Sequence, residues 1–183
     1  LTEIARGLDE SISLHATHKR LSRNLYDVEL VNNISDRLLK IGSEKVSGQT
    51  RLIVHLSELH KKFARKIEFL PSAEESAGAG FKVCEIIASE PESKTYFPLL
   101  THVWSHEVPG FVSDAVEVFN SVKKVLAATS NRGIIFLDNR SIPRDTCEMI
   151  FADRGINYMI MIDDHDMPVR VRNECFSIGE MLD

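Results

Sequence analysis

The spacing of apolar residues along the chain changes at about residue 50. Before that point they recur at helical intervals, and the stretch "LTEIARGL" predicts a short helix that ends near Gly7. Ser35 or Asp36 could divide the longer helical stretch into two helices. The segment "GSEKVSGQT" (42–50) is rich in Gly and Ser, which predicts a linker. We therefore predict a small helical region over residues 1–46.

After the linker, short apolar runs of strand length alternate with helical patterns. The "PESK" turn predicts that the second and third runs form a hairpin, and Pro98 predicts an edge or a bulge in the third. Strands are predicted at 51–56, 81–89, 95–104, 133–138 and 156–162, and helices at 112–129 (capped by Ser113) and 143–155. This order predicts an α/β fold, a mixed sheet over residues 50–183 with helices on its faces.

Polar side chains end two of the predicted strands. His55 follows the apolar residues of the first strand, and Asp138 follows those of the fourth. The succession of elements is that of an RNase H-like fold, in which the first and fourth strands lie side by side and parallel. We therefore expect His55 and Asp138 to lie next to each other. For Asp138 alone, an aspartate that caps a turn after a strand is the simpler explanation.

Charge is distributed unevenly along the chain, whose net charge is −5. The first 70 residues carry 12 Lys and Arg against 9 Asp and Glu, whereas the remainder is acidic. A mildly basic head would suit a nucleic acid, but an ordinary solvated surface would look the same.

The cysteines and the hydropathy pattern restrict the class of protein. Cys84, Cys147 and Cys175 are widely spaced and form no C-x-x-C pair, so we expect reduced, mostly buried thiols in a cytoplasmic protein. The sequence has no apolar run of membrane-spanning length and no signal peptide pattern. Because the chain starts at Leu1 inside a helical pattern, we expect it to be a fragment of a longer protein.

Several blocks of the sequence resemble the catalytic core of DDE-type insertion-sequence transposases. The likeness covers most of residues 50–165 and lies in "LIVHLSELHKKFARKIEFL", "GFKVCEII", "YFPLLTHVWSHEVPGFVSDAVEVFNSV" and "RGIIFLDN". In this family the first strand ends on Asp, a second acid often follows three residues later, and "K-x-x-A-x-x-M-E" comes next. Asp138 matches the second catalytic Asp. The residues that match the rest of the pattern are Glu58, Lys62, Arg65 or Lys66, and Glu68.

The resemblance implies an RNase H-like core that cleaves DNA and transfers strands at transposon ends with Mg²⁺ or Mn²⁺ as cofactor. It also implies transposon ends and target DNA as partners, a homodimer within a nucleoprotein complex, and no membrane association. The location that it implies is the bacterial or archaeal cytoplasm, at the nucleoid.

His55 departs from this family, because it occupies the position of the first catalytic Asp. An imidazole removes one negative charge and offers one nitrogen instead of two oxygens, whereas Mg²⁺ prefers oxygen ligands. Either the catalytic Asp has been lost, which we favour, or His55 and Asp138 now bind a different ion. We expect Glu58 to lie past the end of the strand, although it could stand in as a ligand.

The third acid of the family is a Glu on a late helix, often after an insertion. Glu174 and Glu180 are the only glutamates after the fifth predicted strand, and both follow it closely. Residues 163–172 look like a turn into another short strand, as an insertion would begin. We therefore expect the chain to stop before the third acid, which would leave the nuclease incomplete.

The head of the chain resembles a helix-turn-helix, with "HATHKRLSRN" as the recognition helix. Such a helix brings polar and basic side chains to the major groove or to phosphates. A solvated helix surface explains the same pattern equally well. The candidate DNA-binding residues are His18, Lys19, Arg20 and Arg23 in the head, and Lys61, Lys62, Arg65 and Lys66 after the first strand.

Two further stretches could bind a metal ion. "DDHD" (163–166) is explained more simply as a charged turn, and "HVWSH" (102–106) as a strand edge with a half-buried Trp104.

Three hypotheses follow from the sequence. The first is a DDE-type transposase, or a piece of one, that is catalytically impaired. The second is a catalytically inactive DNA-binding or interaction protein derived from a transposase. The third is an unrelated α/β regulatory domain, which the absence of a parallel contact between the first and fourth strands would support.

Overall fold

The computed structural model describes residues 2–24, 28–60, 68–70, 80–91, 95–138, 142–161, 168–171 and 174–177. Five helices and seven strands form in this part of the chain. The helices are α1 (Thr2–Gly7), α2 (Leu14–Asn24), α3 (Val28–Ser43), α4 (Asp114–Ala128) and α5 (Arg144–Ala152). The strands are β1 (Arg51–Leu59), β2 (Phe81–Ser89), β3 (Tyr96–Trp104), β4 (Ile134–Asp138), β5 (Tyr158–Met161), β6 (Pro168–Val171) and β7 (Glu174–Ser177).

Five strands form one mixed sheet in the order β3-β2-β1-β4-β5, whereas β6 and β7 form a separate antiparallel pair. β1 pairs antiparallel with β2 and parallel with β4, and β5 continues the sheet parallel to β4. The predicted succession of elements, the β2–β3 hairpin and the parallel contact between the first and fourth strands are confirmed. The absence of this parallel contact would have supported an unrelated regulatory domain, and the contact is present.

The edge strand β3 has the irregularity that Pro98 predicts. Ile86 pairs with Leu100 while Ile87 pairs with Pro98, so Leu99 is an extra residue on β3. Such a β-bulge bends the strand and is common at sheet edges. Both predictions for Pro98, the edge and the bulge, are confirmed.

β1 is longer than the sequence analysis predicts. It continues to Leu59 because β2 pairs with it over nine positions, from Arg51 opposite Ser89 to Leu59 opposite Phe81. The prediction that Glu58 lies past the end of the strand is wrong, and His55 is not the last residue of β1. His55 stands instead just beyond the last residue of β1 that pairs with β4.

The helix α3 packs beside the edge strand and shares the core of the sheet. The division at Ser35 or Asp36 is wrong, since both residues lie inside α3. A side chain at Gly42 would meet Leu99, as its Cβ would lie 2.6 Å from the Leu99 Cδ2 atom. Leu39 of α3 belongs to the same hydrophobic core as the sheet. α3 and the sheet thus share one hydrophobic core. The division of the chain into a helical region (1–46) and a sheet region (50–183) stays a prediction.

The main core lies between one face of the sheet and the helices α4 and α5. Buried Leu52 and Val54 alternate along β1 with less buried residues, as a strand covered mainly on one face requires. The predicted N-cap of α4 is confirmed, because the Val116 N–H donates to Ser113 Oγ at 3.3 Å. Val118 and Val122 of α4 are completely buried.

Two of the three cysteines are buried free thiols, as predicted. These are Cys84 and Cys147. Burial raises the pKa of the Cys84 thiol to about 11, so it remains protonated near neutral pH. Burial also raises the pKa of Cys147. The Cys175 side chain lies outside the described part of the structure. Among the described helices, none combines the length and apolar character that a membrane crossing needs.

We expect Gly133→Ala to destabilise the protein. Gly133 enters β4 with a φ of +98°, and a Cβ there would lie 2.8 Å from Leu52 Cδ1. Leu52 is fully buried and cannot move aside easily. We expect a loss of about 1–3 kcal/mol in the free energy of unfolding, measured by urea denaturation. Gly48→Ala is the control, because a Cβ at Gly48 meets nothing within 4 Å. Equal effects of the two variants would contradict the prediction.

Candidate functional site

His55 and Asp138 are neighbours on adjacent parallel strands. The pairing of β1 with β4 runs to Val54 opposite Leu137, and His55 and Asp138 are the next residue of each strand. Neighbouring strands lie about 4.8 Å apart. Because side chains alternate between the faces of a sheet, both residues lie on the face opposite buried Val54 and Leu137. His55 is exposed, and Asp138 is half-buried.

Glu85 completes a row of polar side chains across three strands. It pairs directly with His55 in the antiparallel β1–β2 ladder, and side chains of paired residues lie on the same face. The row therefore reads Glu85, His55, Asp138: a carboxylate, an imidazole and a carboxylate. Sequence analysis missed Glu85, because the long connection between β1 and β2 leaves their register undetermined.

The row does not fit a Mg²⁺ or Mn²⁺ site as it stands. The outer two members of the row, Glu85 and Asp138, are separated by two strand spacings, roughly 10 Å of sheet, so all three side chains do not surround one point. In the described part of the chain, no three His, Cys, Asp or Glu residues form a group that could hold a metal ion. The His55 nitrogen is in addition a poor substitute for the oxygen ligands of Mg²⁺.

Glu58 lies apart from His55 and Asp138. It lies three positions after His55, so its side chain lies on the opposite face of β1, the face that α4 covers. Its carboxylate accepts a hydrogen bond from Lys82 Nζ and lies 3.1 Å from His60 Nε2. Lys82 is the main cause that lowers the pKa of Glu58. Glu58 is thus an ion-pair partner of the paired strand β2 and is not positioned beside Asp138.

The "HVWSH" stretch contacts carboxylates at the start of α4. His102 Nε2 lies 2.8 Å from Glu117 Oε2, and His106 Nε2 lies 2.9 Å from Asp114 Oδ1. Trp104 Nε1 donates to the same Asp114 oxygen at 2.8 Å. Trp104 is buried rather than half-buried, with 6% of its surface exposed. These contacts join β3 to α4, and acids in the first helical turn also suit the helix dipole.

A groove of about 470 Å³ lies between α3, β3 and α4. Most of the residues that line it are of polar types, among them Asn32, His102, Glu117 and Lys124. Lys124 Nζ also donates to Asp36 Oδ1 at 2.9 Å, which links α4 to α3 at the rim.

The segment interpreted as a recognition helix is helical and forms α2, and Glu10 fixes the turn before it. Its carboxylate accepts hydrogen bonds from Thr17 Oγ1 at 3.0 Å and from Arg20. The hydrogen bond from Arg20 is the main cause that lowers the pKa of Glu10. Ser13 Oγ accepts from the Ala16 N–H at 3.3 Å and caps the helix.

The four candidate DNA-binding residues of α2 have different environments. Arg20 is engaged with Glu10 of its own chain. His18 is half-buried, whereas Lys19 and Arg23 are exposed and available to a partner. The other four candidates, Lys61, Lys62, Arg65 and Lys66, lie outside the described residues, as do "DDHD" (163–166) and Glu180. Glu174 lies in β7, where only the backbone is described.

Compared with models of known protein families, the chain matches none, and it matches no curated protein sequence.

We expect Glu58→Gln to reduce the acid sensitivity of the fold. The hydrogen bond from Lys82 lowers the pKa of Glu58 in the folded protein below its ordinary value of 4.5. The stabilisation that the ionised carboxylate provides is therefore fully present at pH values above that ordinary value. The contribution is lost as the pH falls through the folded-state pKa. Urea denaturation from pH about 5 to about 3 should therefore show a smaller loss of stability for Glu58→Gln than for the parent. Glu107→Gln, at an exposed glutamate, is the control. A variant as acid-sensitive as the parent would exclude this role.

Proposed function

We propose that the chain is the core of a DDE-type transposase on an RNase H-like sheet, impaired in DNA cleavage by the loss of its first catalytic acid. The observation that carries this proposal is the parallel pairing of β1 with β4, which makes His55 and Asp138 neighbours. The strand order β3-β2-β1-β4-β5 supports it as well. In this family, the two positions would each hold an acid of the metal site.

The region after β5 also supports the proposal. β6 and β7 pair with each other and take no part in the five-stranded sheet. The resemblance leads us to expect an insertion at this place, before the third acid. On this proposal, the full family reaction is metal-dependent cleavage and strand transfer at transposon ends. The partners are transposon ends and target DNA, bound by a homodimer.

We expect His55→Asp to create a site for Mn²⁺ that the parent lacks. The added carboxylate would lie beside Asp138 and supply the oxygen ligands that divalent ions require. Binding is measured by isothermal titration calorimetry with Mn²⁺ and Mg²⁺, and by the paramagnetic broadening of NMR signals that Mn²⁺ causes. The parent should show no specific binding, and His55→Asp should bind Mn²⁺.

The decisive control is the double variant His55→Asp/Asp138→Ala, in which binding should disappear. Ser57→Asp adds a carboxylate to the same face of β1, two residues further on, and should not reproduce the gain. Failure of His55→Asp to bind, or binding that survives Asp138→Ala, would overturn the assignment of the two positions.

A second candidate function rests on the helical head. It is that of a catalytically inactive DNA-binding protein derived from such an element. The observation that favours it is the fixed geometry of the α1–α2 turn, with Glu10 joining Thr17 and Arg20 while Lys19 and Arg23 remain exposed. A preorganised helix with exposed basic residues is suited to phosphate contacts.

We expect Lys19→Ala and Arg23→Ala to weaken DNA binding, measured by fluorescence anisotropy on a short duplex over a series of salt concentrations. Each variant that loses a phosphate contact should reduce the slope of log affinity against log salt by about 1. Arg144→Ala removes the same charge at an exposed position of α5 and is the control. The head would not be the DNA-binding region if Arg144→Ala weakened binding as much as the other two.

A further inference from the structure

A stripe of exposed aliphatic side chains runs along α3. Ile34, Leu38 and Ile41 are 48%, 50% and 48% exposed, although each is a large apolar residue. The face of α3 that packs on the sheet is a different one and carries Leu39 and Gly42. The stripe is therefore a second apolar surface of the same helix, beside the one used for folding.

The spacing of the stripe is that of a coiled-coil seam. Intervals of four and three residues place Ile34 and Ile41 at d positions and Leu38 at an a position of a heptad. The next a position is Lys45, whose ammonium group lies 5.8 Å from the centre of the Phe97 ring of its own chain. The apolar seam of the described residues thus ends before Lys45.

The charges beside the seam select the partner and its direction. Arg37 and Glu44 occupy the two g positions, and both are exposed. In an antiparallel pair of identical helices, g positions face each other. When Leu38 packs opposite Ile41 of a second copy, Arg37 comes to face Glu44 of that copy, and the pair occurs twice. A parallel pair would place Arg37 opposite Gly42, which offers no partner.

We infer that α3 is a self-association surface, through which two copies of this chain pack antiparallel, with Leu38 of each copy against Ile41 of the other. Ile34 then lies at the end of the contact, opposite Lys45 of the second copy. Two aliphatic residues from each copy form a seam smaller than the roughly 1,200–2,000 Å² of a stable complex. The dimer is therefore weak and depends on protein concentration. The inference rests on the proposed function in one respect, since it assigns a surface to the homodimer proposed there, and it requires neither DNA nor a metal ion.

Sedimentation velocity over a concentration series, without DNA or divalent ions, tests this surface. The weight-average mass of the parent should rise from 20.7 kDa towards twice that value. Leu38→Glu should keep the chain monomeric over the whole range. Because Leu38 is half exposed, circular dichroism should show that this variant folds. Lys40→Glu changes the charge of α3 away from the seam and should leave the mass curve unchanged.

The charge pair tests the direction of packing. Arg37→Glu alone and Glu44→Arg alone should each weaken the dimer, because like charges then face each other across the seam. The double variant Arg37→Glu/Glu44→Arg restores both pairs and should recover the mass curve of the parent. A parent that stays monomeric, a dimer that Leu38→Glu does not affect, or a double variant without recovery would each overturn the inference. None of these results would bear on whether His55→Asp binds Mn²⁺.

Discussion

β1 is the strand on which the arrangement of the sheet depends, because it has a different kind of partner on each side. It forms a long antiparallel ladder with β2 and a short parallel ladder with β4. The start of the parallel ladder is held by a hydrogen bond from the Ile134 N–H to the Thr50 carbonyl oxygen, at 2.9 Å. Gly133 lets β4 approach, since no side chain fits between it and Leu52. The position of Asp138 beside His55 follows from this junction.

The two faces of the sheet differ in consequence. One face is covered by α4 and α5 and supplies most of the core. On this face, the ion pair of Glu58 with Lys82 lies near the end of β1 and the start of β2. The other face carries the row of Glu85, His55 and Asp138. A residue three positions further along the strand than His55 lies on the opposite face of the sheet, because side chains alternate between the two faces. Glu58 therefore does not lie beside Asp138, although it is close to His55 along the chain.

Much of the fold could be predicted from the sequence, since the short apolar runs and the helical spacings are local signals. The bulge at Leu99 was also foreseeable, because Pro98 cannot donate a ladder hydrogen bond. The length of β1 could not be predicted, because the polar residues Ser57 and Glu58 give no strand signal unless β2 pairs with them. The role of Glu85 was equally hidden, since only the register of the hairpin places it opposite His55. The contacts of Glu10 with Arg20 and of Asp114 with Trp104 were also hidden, because each depends on how a helix packs against a neighbouring segment, which no local pattern records.

The row of Glu85, His55 and Asp138 gives a physical reason for a histidine at position 55. With Asp there, three carboxylates would stand on adjacent strands, and like charges directly opposite each other destabilise a sheet. A bound divalent ion would offset that repulsion in an active enzyme of the proposed family. Without the ion, the repulsion would remain as a cost to folding. An imidazole carries no negative charge in either protonation state, so His55 separates Glu85 from Asp138 without adding to the repulsion. On the proposal made above, the exchange of Asp for His removes the chemistry and at the same time makes the fold less dependent on a metal ion.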